Sequence, residues 1–203
     1  MKKEIILASN NAHKVTELKE KLKKYGITLL SQREAGYDIE VDETGETFKE
    51  NAIIKAEAIY NLSHKPTIAD DSGLEVDAIG GKPGVHSHRF AGPEATDDDR
   101  IDKLLEMLKD VPDEKRTARF KTSICYIDEN GAKHIFDGVC EGKIGFEREG
   151  TNGFGFDPIF IHEGRTFAQR TSEEKNEVSH RGRAVAKLIK YIEDITKEEV
   201  RWK

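Results

Sequence analysis

Apolar residues follow two rhythms along this chain, short unbroken runs and spacings of three and four, and the two alternate. The run Ile5-Ile6-Leu7-Ala8, within residues 4–9, predicts a largely buried first strand. Asn10 or Asn11 then caps a helix whose apolar positions Val15, Leu18, Leu22 and Tyr25 recur every three or four residues, with Gly26 as its stop. Residues 27–30 make a second strand. The next helix opens at Thr47, where Glu50 three residues on completes a capping box, and its core face carries Phe48, Ala52, Ala56, Ile59 and Tyr60. A third strand over 67–69 ends at two adjacent acids, Asp70 and Asp71. A glycine-rich loop, 80–92, leads to a helix over about 95–108.

The second half begins with an imperfectly alternating strand at 119–127. Glu129-Asn130-Gly131-Ala132 turns it into a strand over 133–139, and a further strand runs through 140–146 as a hairpin or meander. A final helix over about 179–195 has the apolar stripe Val185, Leu188, Ile189, Ile192 and Ile195. An early βαβ rhythm followed by antiparallel strands predicts an α/β fold with a mixed sheet flanked by helices. At 203 residues, with no repeat, low-complexity linker or clean boundary, the whole chain 1–203 reads as one domain.

Charge narrows the function classes. The 33 basic and 39 acidic residues leave a net charge of -6, which argues against nonspecific binding to nucleic acid. Cys125 and Cys140 lack zinc-type spacing and read as buried thiols, with a disulfide left open. The first apolar run is too short for a signal peptide and no later one could span a membrane, so the cytoplasm is the expected location.

Five polar clusters carry the candidate chemistry. Asp70 and Asp71 close an apolar run, where like charges destabilise one another unless a cation or donor is shared. A divalent metal resolves that conflict, since Mg2+ takes one or two carboxylates plus phosphate oxygens. Asp-Asp-Ser-Gly is equally good turn chemistry. Ser9-Asn10-Asn11-Ala12-His13-Lys14 lies between strand and helix, where helix-start amides and a lysine can cradle phosphate, or where Ser and Asn simply cap. Asp42-Glu43-Thr44-Gly45 precedes a helix on which Asn51 and Lys55 share one face; they suit a metal-bound polyphosphate, or a solvated ion pair. Asn152-Gly153-Phe154-Gly155-Phe156-Asp157-Pro158 interleaves glycine and aromatics, so that Phe154 or Phe156 could stack on a base, or belong to a bulged core strand. Ser179 caps the last helix and sets His180 and Arg181 at its start, aimed at an anion or carbonyl or else exposed as surface charge. His86, His88 and Arg89 form an undecided lid or rim.

Taken together, these stretches resemble the inosine/xanthosine triphosphate pyrophosphatase family, which removes non-standard purine nucleotides. The resemblance rests on Ser9 to Lys14, Glu43-Thr44-Gly45 with Phe48 to Lys55, Ala69-Asp70-Asp71-Ser72-Gly73-Leu74, Gly81-Lys82-Pro83-Gly84-Val85, Gly153 to Pro158, and Glu174-Lys175-Asn176 with Ser179-His180-Arg181-Gly182. They stand in the family's order and span nearly the whole chain. Many members carry Thr-Gly-Asn where this chain has Ser9-Asn10-Asn11, and often Tyr near His86.

The resemblance implies an elongated two-lobed fold with a cleft between the lobes, a homodimer, and Mg2+-dependent hydrolysis of ITP, dITP or XTP to monophosphate and pyrophosphate. It places Asp71 as proton acceptor and metal ligand; the chemistry of hydrolysis independently assigns Asp70 and Asp71 together to metal binding and water activation. Asp42 or Glu43 stands where the family has its other metal-binding acid. Ser9, Asn10, Asn11, Ala12, His13, Lys14, Lys55 and Ser72 match triphosphate-binding positions. Phe154, Gly155, Phe156, Asp157, Lys175, His180 and Arg181 match the base and sugar-phosphate site. Treating Asp71 as an exposed, weakly basic carboxylate assigns most of the water activation to the metal. The competing readings are a pyrophosphatase for pyrimidine nucleotides on a related fold and a nucleotide-binding regulator without turnover.

Overall fold

Residues 3–201 are described by a computed structural model. Its strands are β1 (Lys3–Leu7), β2 (Ile27–Ser31), β3 (Thr67–Val76), β4 (Lys82–Pro83), β5 (Thr117–Ile127), β6 (Lys133–Ile144), β7 (Phe160–His162) and β8 (Arg165–Thr166). Its helices are α1 (Ala12–Lys23), α2 (Phe48–Ser63), α3 (Asp97–Met107), α4 (Ser172–Val178) and α5 (His180–Arg201), with short 3-10 turns between. The sheet is mixed and runs β2-β1-β3-β5-β6-β7-β8, with β4 paired to β3. β1 is parallel to β2 and to β3, whereas β7 is antiparallel to both β6 and β8. Among the described residues no helix is long and apolar enough to cross a membrane.

The chain forms two compact units. The first holds the residues up to Asp71, Ser123–Asp137 and those from Ala184 onward; the second holds Ser72–Thr122 and Gly138–Arg183. In the first unit the unbroken apolar run of β1 is explained by burial on both faces. Ile5 and Leu7 pack with Leu18, Leu22, Leu188 and Ile192 of α1 and α5, while Ile6 and Ala8 pack with Ala52, Ala56 and Ile59 of α2. In the second unit α3 sets Ile101, Leu104 and Leu108 against a core that includes Phe120, Phe160 and Phe167. Those three rings lie 4.6 to 5.7 Å apart, within the range of favourable aromatic pairs.

The expected elements are present, joined by β4, β7, β8 and α4, which were not expected, and two of the strands differ in extent. β3 does not stop at Ala69 but runs through both acids to Val76, because the alternation resumes at Leu74 and Val76, both buried. The two strands expected over 133–146 are one, β6; Gly142, near its end, is a position where a Cβ would lie 2.4 Å from the Ile161 carbonyl oxygen. The final helix expected over about 179–195 is α5; the additional α4 precedes it, and the two meet at Ser179, whose hydroxyl accepts from the Gly182 amide at 3.1 Å. Both cysteines are free thiols. Burial pushes Cys125 up to about 12 and Cys140 up to about 11, so neither is poised for thiolate chemistry.

Gly182 of α5 lies against the backbone of α4. A Cβ there would stand 1.8 Å from the Asn176 carbonyl oxygen, so backbone has to move to admit it. Gly182→Ala is expected to destabilise the protein by about 1–3 kcal/mol, the usual effect of overpacking. Thermal melts of the purified variant check this, and an unchanged midpoint would refute the close contact.

Candidate active site

Asn11, rather than Asn10, caps α1. Its Oδ1 accepts from the His13 and Lys14 amides at 3.1 and 3.2 Å, and Ser9 Oγ accepts from the Asn11 amide at 3.2 Å. The helix-start amides expected to meet phosphate are thus engaged by the cap. Asn10, Ala12 and His13 are exposed and Ser9 is half-buried. The same cap fixes the first turn of α1, from which Lys14 reaches Asp70, with its Nζ 3.0 Å from a side chain with no exposed surface.

α2 supplies the partners of the second acid. Its capping box, Thr47 with Glu50, anchors the first turn, so that Asn51 and Lys55 project side by side one turn apart. Asn51 is fully buried; its Nδ2 donates to Asp71 Oδ2 at 3.0 Å and its Oδ1 accepts from the Gly45 amide at 2.8 Å. Lys55 Nζ donates to Glu43 Oε1 at 2.8 Å and lies 3.6 Å from Asp71 Oδ1. Acids and lysines therefore interleave, which is how the strand tolerates two neighbouring carboxylates. Of the two acids left open before α2, Glu43 joins this cluster while Asp42 is exposed.

The environment corrects one expectation. Asp71 is not an exposed carboxylate: only 6% of its surface is accessible, and burial pushes its carboxyl up despite the opposing pull of Lys55. Glu43 raises it further. A raised carboxyl is a better proton acceptor than an ordinary one. Burial works against charge on Lys55 as well, but Asp71, Asp70 and Glu43 outweigh it and hold its ammonium above the usual range. Among the described residues no three His, Cys, Asp or Glu side chains gather as a metal cage.

A second cluster lies in the other unit, around the turn at 153–157. Gly153 and Gly155 have positive φ, +79° and +61°, and a Cβ on Gly153 would fall 2.0 Å from Asp157 Oδ2. That oxygen accepts from the Phe154 amide at 2.9 Å and from Lys175 Nζ at 2.5 Å. Burial pushes the Asp157 carboxyl up, against the pull of Lys175. Lys175 Nζ stands 4.9 Å over the Phe154 ring and the Arg181 guanidinium 5.8 Å from it. Arg181 also donates to Ser72 Oγ at 2.9 Å, and His180 stacks on Phe120 at 4.8 Å.

Both His180 and Arg181 are buried, so the reading of them as surface charge falls. The two phenylalanines of the turn also part company. Phe156 is 4% exposed and belongs to the apolar core beside Phe90, whereas Phe154 is half-buried beneath two cations. The 84–89 turn, undecided from sequence, is tied to β3: Ser87 Oγ accepts from the Leu74 amide at 2.9 Å and donates to the Gly84 carbonyl at 2.7 Å. Its exposed His86 and Arg89 bond each other.

The Ham1 family model matches residues 5–191. The chain belongs to the Ham1 family. It is 47% identical to a dITP/XTP pyrophosphatase of Clostridium perfringens (strain 13 / Type A), over 96% of this chain and 100% of that one. It is 46% identical to the dITP/XTP pyrophosphatase of Bacillus subtilis (strain 168), over 94% and 98%. The solved HAM1 protein of Coxiella burnetii superposes with a TM-score of 0.86 at 43% identity, covering 95% of this chain and 99% of that one. Sequence reasoning set Asn51 beside Lys55 but gave it no bond to Asp71. Its spacing from Lys55 was visible, but its complete burial against Asp71 depends on β3 and has no local signal.

Proposed function

We propose that this Ham1 protein is a Mg2+-dependent nucleoside-triphosphate pyrophosphatase acting on non-standard purine nucleotides, dITP, ITP and XTP, to release monophosphate and pyrophosphate. Its role would be to cleanse the nucleotide pool, and the resemblance adds a homodimer. The observation that carries the reading is the interleaved set Lys14–Asp70 and Glu43–Lys55–Asp71, in a chain nearly half identical to dITP/XTP pyrophosphatases.

The donor set suits Mg2+, which needs only one or two protein carboxylates and completes its coordination with water and phosphate. Asp71 and Glu43, which already share Lys55, are the residues to hold it. When bound, the ion supplies charge neutralisation and a more acidic water. The chain's own residues do the rest. Lys14 and Lys55 exchange their carboxylate partners for phosphate oxygens and hold the leaving pyrophosphate. Asp71, kept in place by Asn51, takes the proton of the attacking water as the α–β phosphoanhydride opens.

The second cluster suits the nucleoside end. Phe154 offers its ring to the base, while Lys175 and Arg181 favour an electron-rich partner. Hypoxanthine and xanthine present an acceptor at O6, which matches a donor from Arg181 or His180; adenine presents an amino group there and is mismatched. A Mg2+ turnover panel of dITP, ITP, XTP, GTP, ATP, TTP and UTP, with products resolved by phosphorus NMR, tests the reading. Pyrophosphate with IMP, dIMP or XMP, and GTP and ATP nearly untouched, is the expected result. Orthophosphate release, a pyrimidine preference or no turnover would each overturn it.

A further inference from the structure

α3 begins Thr96-Asp97-Asp98-Asp99, an acidic start that looks like ordinary helix capping. Only part of it is. Thr96 and Asp99 form the capping box, with Thr96 Oγ1 accepting from the Asp99 amide and Asp99 Oδ2 accepting from the Thr96 amide at 2.8 Å. Asp97 does something else. Its Oδ2 accepts from the Gly155 amide at 2.7 Å, and its Oδ1 accepts from Arg100 at 2.6 Å.

Arg100 explains why that carboxylate stays in place. Its side chain is 8% exposed, and a guanidinium so buried needs its charge matched. It has Asp97 on one side and, through Nε, the His88 carbonyl oxygen at 2.6 Å on the other. With Oδ1 committed to Arg100, Asp97 has Oδ2 directed at the turn that carries Phe154. Lys103, two turns along α3, donates to the Phe90 carbonyl at 2.7 Å, and Phe90 packs on Phe156. The start of α3 thus frames both the 84–90 segment and the 153–157 turn.

Within that turn two successive amides are held by two carboxylates. Phe154 N–H goes to Asp157 and Gly155 N–H goes to Asp97. Positive φ at Gly153 and Gly155 leaves the backbone with no steric preference of its own for this shape. The conformation that presents Phe154 is therefore set by its anchors. We infer that Asp97 is a positioning residue for nucleotide recognition: clamped by Arg100, it fixes the Phe154–Gly155 backbone and so sets affinity for the base. The inference rests on the nucleotide reading above.

Inorganic tripolyphosphate separates the base end from the phosphate end, because it has no base and meets only the lysine-rich cluster. For Asp97→Ala, KM for dITP should rise about tenfold with kcat within about twofold of wild type. The inhibition constant of tripolyphosphate should stay unchanged. Asp97→Asn, which keeps an oxygen acceptor for Gly155 but loses the negative charge facing Arg100, should fall between. Amide hydrogen exchange in the peptide spanning 153–156 should be faster in Asp97→Ala than in wild type, a readout independent of activity. Parallel loss of tripolyphosphate and dITP affinity, a fall in kcat with KM unchanged, or unaltered amide exchange would overturn the inference. Should Asp97→Ala fail to fold, Asp97→Asn decides by the same three readouts. A wild-type chain that leaves dITP and XTP intact overturns the functional reading and this inference with it, whereas an active wild type with an indifferent Asp97→Ala overturns the inference alone.

Discussion

Asp71→Asn is expected to retain less than about a thousandth of wild-type turnover on dITP, the loss that follows when a proton acceptor and charge partner are removed together. The substitution is nearly isosteric. An asparagine Oδ1 can still accept from Asn51 Nδ2, and Lys55 keeps Glu43, so the surroundings are preserved. What disappears is a negative charge beside Lys55 and a carboxyl that burial has made more basic. Wild-type-like turnover would sink the assignment of Asp71.

Stability gives the same variant an independent check with a definite sign. The folded Asp71 carboxyl lies above its ordinary 3.8, so between that value and its folded one the native state holds a proton the unfolded chain has released. Wild-type stability therefore falls as pH rises through that window. Asparagine does not titrate, so Asp71→Asn should lose less on going from about pH 4 to pH 7 than the wild type does. Thermal melts at the two pH values measure the difference. A variant that is both inactive and markedly less stable at neutral pH would point to a collapsed site instead of missing chemistry.

How much of this was legible follows from where each signal resides. β1, the Thr47–Glu50 capping box and the Val185–Ile192 stripe are local patterns, and they emerged at or within a few residues of the expected bounds. The acids of β3 were visible as a charge conflict, but its resolution was not. Asp-Asp-Ser-Gly has the local chemistry of a turn, and the two charges are matched inside the strand by Lys14 and Lys55, which arrive from distant helices. Phe154 and Phe156 are equivalent on paper; only packing against Phe90 sends one into the core and leaves the other beneath Lys175 and Arg181. Asp97 was hidden for a related reason. An acid in the first turn of a helix is expected on helix-dipole grounds alone, and nothing local says that its carboxylate reaches Gly155.

Lys175→Met should be the most destabilising single change in the second cluster. Methionine preserves most of the stem, so the loss is electrostatic: Asp157, 3% exposed, would retain the Phe154 amide but lose the ammonium 2.5 Å away. Breaking one side of a buried pair costs about 3–5 kcal/mol, because the remaining charge is uncompensated. In a chain of this size that lowers the melting temperature by roughly 10 °C. Without Lys175 the folded Asp157 carboxyl moves still further above its ordinary range, so the defect should deepen as pH rises through that range and ease in acid, where the proton neutralises it. Adding Asp157→Asn removes the orphaned charge while keeping an acceptor for Phe154, and the double variant should recover most of the lost stability. A double variant no more stable than Lys175→Met would mean that the lysine acts through packing on Phe154 and Phe167, whose rings it also covers, and not through Asp157.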